Sequence, residues 1–152
     1  MKFLVDRMCG RLARWLRLIG FDTEYIDESK TVPEIVYQSL RDQRIILTRN
    51  RKMSLTKGYS VYFVQSENFV EQVKEVIKKF DIKLEKERFF SRCIECNGTL
   101  EEIDKNLIRD KVPSFVWQTK EKFYKCKKCN KIYWQGSHLE LAGEILSELE
   151  EK

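Results

Sequence analysis

Proline, glycine and histidine are scarce in this chain: its 152 residues include two Pro, six Gly and one His. The low Pro and Gly content excludes a collagen-like or low-complexity chain, and the length suits one domain or a small domain with an added module. No apolar run approaches the roughly 20 residues that a membrane span requires, so we expect no membrane partner. Asp6 stands where a signal peptide would continue its apolar region, which predicts a cytoplasmic protein.

Charge is distributed unevenly along the chain. Residues 1–136 carry 28 Lys/Arg against 19 Asp/Glu, a net charge of +9, whereas residues 137–152 carry one against five, a net charge of −4. A basic body predicts an anionic partner, of which nucleic acid is the commonest. A surface rich in Lys and Glu is also typical of proteins from hot environments, so composition alone leaves both interpretations open.

Short apolar runs alternate with amphipathic stretches over the first 80 residues. This pattern predicts strands at 3–5, 23–26, 44–48 and 60–64 and helices at 8–19, 33–41 and 68–80. The helical spacing places Met8 and Leu40 on buried faces. Strands separated by helical crossovers predict an α/β sandwich with a mostly parallel sheet.

In a parallel sheet, the carboxyl ends of the strands carry the functional groups. The polar residues that directly follow the predicted strands are Asp6, Asp27 with Glu28, Thr48 to Asn50, and Gln65 to Glu67. Residues 81–92 are charged and lack a strong period, so we interpret them as a connection to a second module. The predicted division is 1–90 for the α/β domain, 91–136 for the second module, and 137–152 for a C-terminal helix that packs on the body.

Four of the five cysteines form two C-x-x-C pairs, Cys93 with Cys96 and Cys126 with Cys129. Each pair can supply one edge of a thiolate tetrahedron, so the spacing predicts a zinc ribbon with a closed, structural Zn²⁺ site. The interval between the pairs is long, but the extra loop closure costs only on the order of half a kcal/mol. Redox chemistry is the less favoured alternative because it needs a single pair. We interpret Cys9 as a buried inert thiol, with a catalytic nucleophile as the alternative.

Basic residues recur at helical spacing in the first helix and again after the third strand. The helix stripe comprises Arg7, Arg11, Arg14 and Arg17, and the cluster after the strand comprises Arg49, Arg51 and Lys52. We predict that both sets flank the strand-end crevice and contact an RNA phosphate backbone. An ordinary solvated helix face is the alternative interpretation.

The predicted zinc module combines lysines with aromatic residues. Lys127 and Lys128 lie among four aromatic side chains, a pattern that favours RNA binding but also fits aromatic packing in a small core. His138 opens the predicted C-terminal helix, where Ser137 and Glu140 fit a capping box. We interpret this histidine as a packing residue between modules, and a functional role is the alternative.

A series of spaced motifs extends over nearly the whole chain. They are Asp6, Leu12-Ala13-Arg14-Trp15-Leu16-Arg17, Gly20-Phe21-Asp22, Ile46-Leu47-Thr48-Arg49, Arg92-Cys93, Cys96-Asn97, Val112-Pro113, Phe123, Cys126, Cys129, Tyr133-Trp134 and Gly136-Ser137-His138. In these motifs the chain resembles the Mut-seven C-terminal domain family, PIN-like ribonucleases with a C-terminal zinc ribbon. The resemblance implies a PIN-like three-layer sandwich, RNA as substrate, and hydrolysis by Mg²⁺ or Mn²⁺ held on clustered carboxylates.

The resemblance also identifies candidate catalytic residues. Asp6 matches the family's first metal-binding acid, whereas Asn50 stands where the family usually has Asp, and Val32-Pro33 where it commonly has another Asp. The nearest substitutes are Asp27, Glu28 and Glu34. Asparagine offers a cation one neutral oxygen and no charge, so these departures predict that cleavage is weak or lost while RNA binding persists.

Three functions stay open at this point. The first is a metal-dependent ribonuclease, and the second is a non-catalytic RNA-binding protein or ribonucleoprotein component. The third is a protein-interaction module that uses the acidic helix predicted at 139–149. We favour a nuclease-derived, RNA-associated protein, because the family motifs support the first function and the missing acids support the second.

Overall fold

A computed structural model describes residues 1–54, 60–134 and 147 of the chain. The elements of its α/β domain are β1 (Lys2–Val5), α1 (Gly10–Leu18), β2 (Asp22–Tyr25), α2 (Val32–Asp42), β3 (Arg44–Thr48), α3 (Arg51–Ser54), β4 (Val61–Phe63) and α4 (Phe69–Lys79). The predicted strands and helices are confirmed to within a few residues, and α3 is an additional short helix. The helix predicted over 137–152, with His138, lies outside the described residues, position 147 apart.

The four strands form one parallel sheet in the order β2-β1-β3-β4. Phe3 of the central strand β1 lies beside Thr23 of β2 and Ile45 of β3. The ladder continues past the strand ends, where the Val64 N–H donates to the Thr48 carbonyl at 2.8 Å. All four carboxyl ends therefore lie along one side of the sheet, which we call the carboxyl edge.

Helices cover both faces of the sheet, and the result is the three-layer α/β sandwich that was predicted. The core on one face comprises Phe3, Val5 and Leu47 of the sheet with Leu12, Leu16, Val73 and Val76 of α1 and α4. The core on the other face comprises Leu4 and Ile46 of the sheet with Ile26, Ile35 and Met53, which α2, α3 and the end of β2 contribute. Burial of strands on both faces is typical of parallel sheets.

Two side chains predicted to be buried are exposed. Asp6 accepts a hydrogen bond from the Met8 N–H at 3.0 Å and begins a 3₁₀ turn over Arg7–Cys9, so that α1 starts later than predicted. This turn leaves Met8 70% exposed. Leu40 is 57% exposed, because the side of α2 that faces the sheet includes Ser39, whose hydroxyl donates to a strand carbonyl at 2.6 Å.

The second module is a small antiparallel sheet of β5 (Leu100–Ile103), β6 (Phe123–Cys126) and β7 (Ile132–Trp134), with α5 (Ser114–Thr119) before β6. Its core comprises Ile108, Val112 and Phe123, with Trp117 and Trp134 packed against them. Cys126 ends β6, and the other three cysteines lie in or next to turns beside this sheet, as a zinc ribbon requires. None of the helices in the described part of the chain is long and apolar enough to cross a lipid bilayer.

Candidate metal centre and carboxyl-edge site

The four cysteines of the two C-x-x-C pairs converge in space. Their Sγ atoms all lie within 4.8 Å of one another. The Cys93–Cys129 sulfur distance is 3.7 Å, and the Cys96–Cys126 distance is 3.4 Å. A tetrahedral ion with Zn–S bonds of about 2.3 Å requires sulfurs about 3.8 Å apart. The donor set therefore fits a closed site, and the four cysteines could hold a structural zinc ion.

Backbone N–H groups surround the sulfur atoms. The Gly98 N–H points at the Cys96 Sγ, and the Lys128 and Cys129 N–H groups point at the Cys126 Sγ, each at 3.4 Å. Burial raises the pKa of the Cys126 thiol, but the Lys128 and Cys129 N–H groups and the adjacent thiols outweigh burial and lower the pKa to about 7. A Cβ on Gly98 would lie 2.9 Å from the Cys126 Sγ. The N–H groups after Cys126 therefore favour the thiolate of that residue, and the close approach of its sulfur to Gly98 leaves little room for a larger residue at position 98.

Asn97 attaches the first cysteine turn to the edge strand β2. It is buried, has a left-handed φ of 69°, and accepts a hydrogen bond from the Thr23 N–H through its Oδ1 at 3.0 Å. Its Nδ2 donates to the carboxylates of Asp22 at 2.6 Å and Glu24 at 3.1 Å. Without Asn97, the outward N–H of this edge strand would be buried and unpaired. The ribbon thus docks on the α/β domain through the turn that supplies two of the four sulfurs.

Arg17 is a structural residue, so its prediction as an exposed RNA-binding residue is wrong. The side chain is 2% exposed. Its Nε donates to the Thr23 carbonyl and its Nη1 donates to the Ile94 carbonyl, each at 2.9 Å. The guanidinium also lies 4.9 Å from the centre of the Tyr25 ring. Helical spacing alone predicts that Arg17 belongs to an exposed stripe. In the structure, a carbonyl of the edge strand β2 and a carbonyl of the first cysteine turn hold it between the two modules.

Asp6, Thr48 and Asn50 are linked by hydrogen bonds at the carboxyl edge. The Thr48 hydroxyl donates to Asp6 Oδ2 and accepts from the Asn50 N–H, both at 2.9 Å. Asp6 Oδ1 accepts from the Met8 N–H, and Asn50 Oδ1 accepts from the Lys52 N–H, both at 3.0 Å. Asp6 and Asn50 therefore lie at the ends of the two central strands, joined through one threonine.

Two of the substitute acids, Asp27 and Glu34, accept local hydrogen bonds. Asp27 Oδ1 accepts from the N–H and hydroxyl of Ser29, at 2.9 and 2.7 Å, and these hydrogen bonds lower the pKa of Asp27. The Thr31 hydroxyl donates to the Glu34 carboxylate at 3.1 Å at the start of α2. Within the described part of the chain, no group of three carboxylates lies close enough to share a metal ion. The four cysteines are close enough to share one.

Arg49 and Glu75 hold the segment after β4 from two sides. Arg49 Nη1 donates to the three carbonyls of residues 64–66 at 2.8, 2.9 and 3.0 Å. The Glu75 carboxylate accepts from the Gln65 N–H at 2.8 Å and from the N–H and hydroxyl of Ser66 at 2.9 and 2.7 Å. Burial raises the pKa of Glu75, but the hydrogen bonds donated to its carboxylate outweigh burial and hold the pKa below its ordinary value. Arg49 is therefore a positioning residue. Glu75 is another, and sequence reasoning missed it because its carboxylate binds two backbone N–H groups and two hydroxyls of other segments rather than a motif partner.

The other predicted RNA-binding residues present exposed cations. Arg11 lies over the Phe69 ring and Arg51 over the Phe63 ring, each guanidinium 4.9 Å from the ring centre, at the carboxyl edge. The remaining exposed members of the set are Arg14 in α1, Lys52 in α3, and Lys127 and Lys128 in the ribbon. Arg14 and Lys127 each form an ion pair with a ribbon glutamate.

Cys9 is buried as predicted, with 1% of the residue exposed. Burial and the nearby Asp6 carboxylate raise the pKa of its thiol to about 11. The neutral thiol that results at ordinary pH is a weak nucleophile, which favours the interpretation of Cys9 as a packing residue.

The described chain combines a parallel four-stranded sheet between helical layers with a module in which four cysteines converge. The Mut7-C RNAse domain family matches residues 1–146, so the chain belongs to this family and its α/β part is a PIN-like ribonuclease-related domain. The resemblance predicted from the spaced motifs is thereby confirmed. No match was found among curated proteins or among solved structures.

Proposed function

We propose that this protein binds RNA along the carboxyl edge and that its metal-dependent cleavage of RNA is weak or lost. The observation that carries the proposal lies at the ends of the two central strands, where the Thr48 hydroxyl links Asp6 to a neutral Asn50 rather than to a second acid. Membership of an RNase domain family supports RNA as the ligand. The loss of cleavage follows from the chemistry of the donor set.

A catalytic Mg²⁺ or Mn²⁺ needs several hard oxygen ligands, and carboxylates are the usual protein contribution. Asp6 supplies one charged group, and Asn50 supplies one neutral oxygen that already accepts the Lys52 N–H. Asp27 lies one strand away and is engaged with Ser29. These residues do not fit a tight divalent site.

Binding of RNA requires cations that are free to meet phosphates. Within the described part of the chain, Arg11 and Arg51 satisfy this requirement, because each is exposed at the carboxyl edge and rests on an aromatic ring rather than on a carboxylate. Each phosphate contact with single-stranded RNA contributes about 0.7 to the slope of log affinity against log salt. Loss of either arginine should therefore weaken binding and reduce that slope by about 0.7.

The charge test uses Arg11→Glu and Arg51→Glu, with Arg41→Glu as the matched control. Arg41 is exposed near the end of α2, which runs from the carboxyl edge to the opposite edge of the sheet. Both carboxyl-edge variants should bind a labelled, partly structured RNA more weakly than the control, at two or more salt concentrations. Equal affinities for all three variants would refute the carboxyl-edge model.

The cleavage test compares the natural protein with Asp6→Asn and Asn50→Asp in Mg²⁺ or Mn²⁺, with EDTA controls and binding followed in the same samples. We expect little or no cleavage by the natural protein and a gain of metal-dependent cleavage in Asn50→Asp, since the second carboxylate raises the charge of the site. Efficient metal-dependent cutting that Asp6→Asn abolishes would instead establish an active ribonuclease. Failure of all forms to bind RNA would refute the proposal as a whole.

The remaining assignments belong to the same proposal. In it, the α/β domain spans residues 1–90, the zinc ribbon 91–136 and a C-terminal segment 137–152, and the protein acts in the cytoplasm alone or within a ribonucleoprotein. The RNA-contacting set is Arg11, Arg14, Arg51, Lys52, Lys127 and Lys128. Co-sedimentation with RNA-containing particles before and after ribonuclease treatment distinguishes a ribonucleoprotein component from a free protein.

A further inference from the structure

A cleft of about 350 Å³ lies between α1 and the zinc ribbon, away from the carboxyl edge. Its lining residues are Arg14, Leu18, Phe90, Arg92, Ile94, Leu100, Lys131, Ile132, Tyr133 and Trp134. This volume is at the lower end of the roughly 300–1,000 Å³ that small-molecule sites occupy. The lining combines aromatic and aliphatic walls with three cations, which is the chemistry that a nucleotide requires: a surface for the base and positive charge for the phosphate.

The aromatic wall is held in place by contacts behind it. The Tyr133 hydroxyl lies 2.8 Å from the Cys93 Sγ, and the Trp134 ring packs against buried Phe123 at a centroid distance of 6.4 Å. On the opposite side, the Phe90 N–H donates to the Leu18 carbonyl at 3.0 Å, which fixes that residue against α1. A base entering the cleft would therefore meet walls that are already formed.

Two of the cations that line the cleft already contact an anion of the chain. The Glu95 carboxylate lies 3.1 Å from Arg14 Nη2 and 3.3 Å from Lys131 Nζ, so it bridges a cation of each module. All three side chains are nearly half exposed. Ion pairs exposed to this extent are weak, because water and salt screen them. A phosphate group could therefore displace Glu95 from between the two cations.

We propose that this cleft is a nucleotide subsite for RNA, in which the aromatic wall takes one unstacked base, Arg14 and Lys131 take its phosphate, and Glu95 occupies the phosphate position when RNA is absent. The proposal rests on the RNA-binding function proposed above and extends it from the carboxyl edge to the junction of the two modules. Arg14 belongs to the α/β domain and Lys131 to the ribbon, so the subsite exists only while the ribbon is docked on the α/β domain.

The test is a gain of affinity. Glu95→Gln removes the competing charge and should raise RNA affinity about threefold to tenfold, as expected for release of two exposed ion pairs. Glu121→Gln is the matched control, because it removes the same charge from an exposed loop of the ribbon. The gain should vanish when Arg14→Gln and Lys131→Gln are combined with Glu95→Gln, since neither of the two cations that Glu95 bridges is then left for the phosphate to meet. Zinc content is measured for every variant to confirm that the ribbon is intact.

Photo-crosslinking with RNA that carries 4-thiouridine supplies an independent readout. Crosslinked peptides containing Phe90, Tyr133 or Trp134 are expected from the natural protein and in higher yield from Glu95→Gln. The subsite is refuted if Glu95→Gln and Glu121→Gln bind RNA with equal affinity and none of these aromatic residues crosslinks. It is also refuted if the acidic residues 137–152 are found to occupy the cleft. If the subsite is refuted in this way but Arg11→Glu still loses RNA binding, the carboxyl-edge proposal stands. If no form of the protein binds RNA, both proposals are overturned.

Discussion

Asn97→Ala removes the side chain that joins the first cysteine turn to strand β2. Asn97 Oδ1 is the acceptor for the Thr23 N–H, and the residue is only 5% exposed, so water cannot readily replace it. A buried donor that loses its partner costs about 1–3 kcal/mol. Alanine at a left-handed φ adds about 1 kcal/mol relative to asparagine, because its Cβ meets the backbone without a compensating local hydrogen bond. We therefore expect a loss of about 2–4 kcal/mol in the free energy of unfolding.

Two variants separate the contributions. Asn97→Gly accepts the φ of 69° without strain, so its loss should be limited to the hydrogen-bond part, about 1–3 kcal/mol. Asn97→Asp keeps an acceptor for Thr23 but places a charge beside the carboxylates of Asp22 and Glu24, so it should destabilise the fold more than glycine does.

The assay is urea unfolding of the zinc-loaded proteins followed by tryptophan fluorescence, with hydrogen exchange of the Thr23 amide as a local probe. Exchange at Thr23 should accelerate in all three variants, while amides of the central strand β3 should keep their protection. A loss below about 0.5 kcal/mol in Asn97→Ala, the range of ordinary surface substitutions, would show that the docking contact is unimportant.

Three further predictions concern the metal, a glycine and an acid. Removal of zinc by a chelator should raise exchange of the Thr23 amide about tenfold or more, since Asn97 is held by the metal-binding turn; unchanged exchange would contradict this coupling. Gly98→Ala should weaken zinc binding, because its Cβ would lie 2.9 Å from the Cys126 Sγ and overpacking costs about 1–3 kcal/mol; competition with a chromophoric chelator measures the change, and an unaltered Kd would be inconsistent with it. Hydrogen bonds hold the pKa of Glu75 below its ordinary value of 4.5, so its stabilising contribution is complete above that pH and is lost as the pH falls through the lowered pKa. Glu75→Gln should therefore destabilise the protein more at pH 7 than at about pH 3 in urea unfolding, and equal effects at both would exclude the charge as the cause.

Local sequence patterns were sufficient for most of the strands and helices and for the cysteine cluster. The strand Arg44–Thr48 has the predicted bounds, because a continuous apolar run flanked by polar residues can be buried only as a strand between two layers. The cysteine pairs were equally informative, since a C-x-x-C turn places two sulfurs at one edge of a tetrahedron whatever the rest of the fold does. The family motifs were recognisable for the same reason: they are residues close in sequence.

Roles that depend on a partner distant in sequence were decided by the tertiary structure. Arg17 has the same helical spacing as the exposed arginines, yet the outward carbonyl of Thr23 and the carbonyl of Ile94, 77 residues away, bury it. Glu75 carries no motif because it binds backbone groups of another segment. The bridge that Glu95 makes between α1 and the ribbon exists only once both modules are docked. Periodicity reports which way a side chain points along its own helix or strand, whereas an unpaired backbone group or a charge on a neighbouring element determines what that side chain binds.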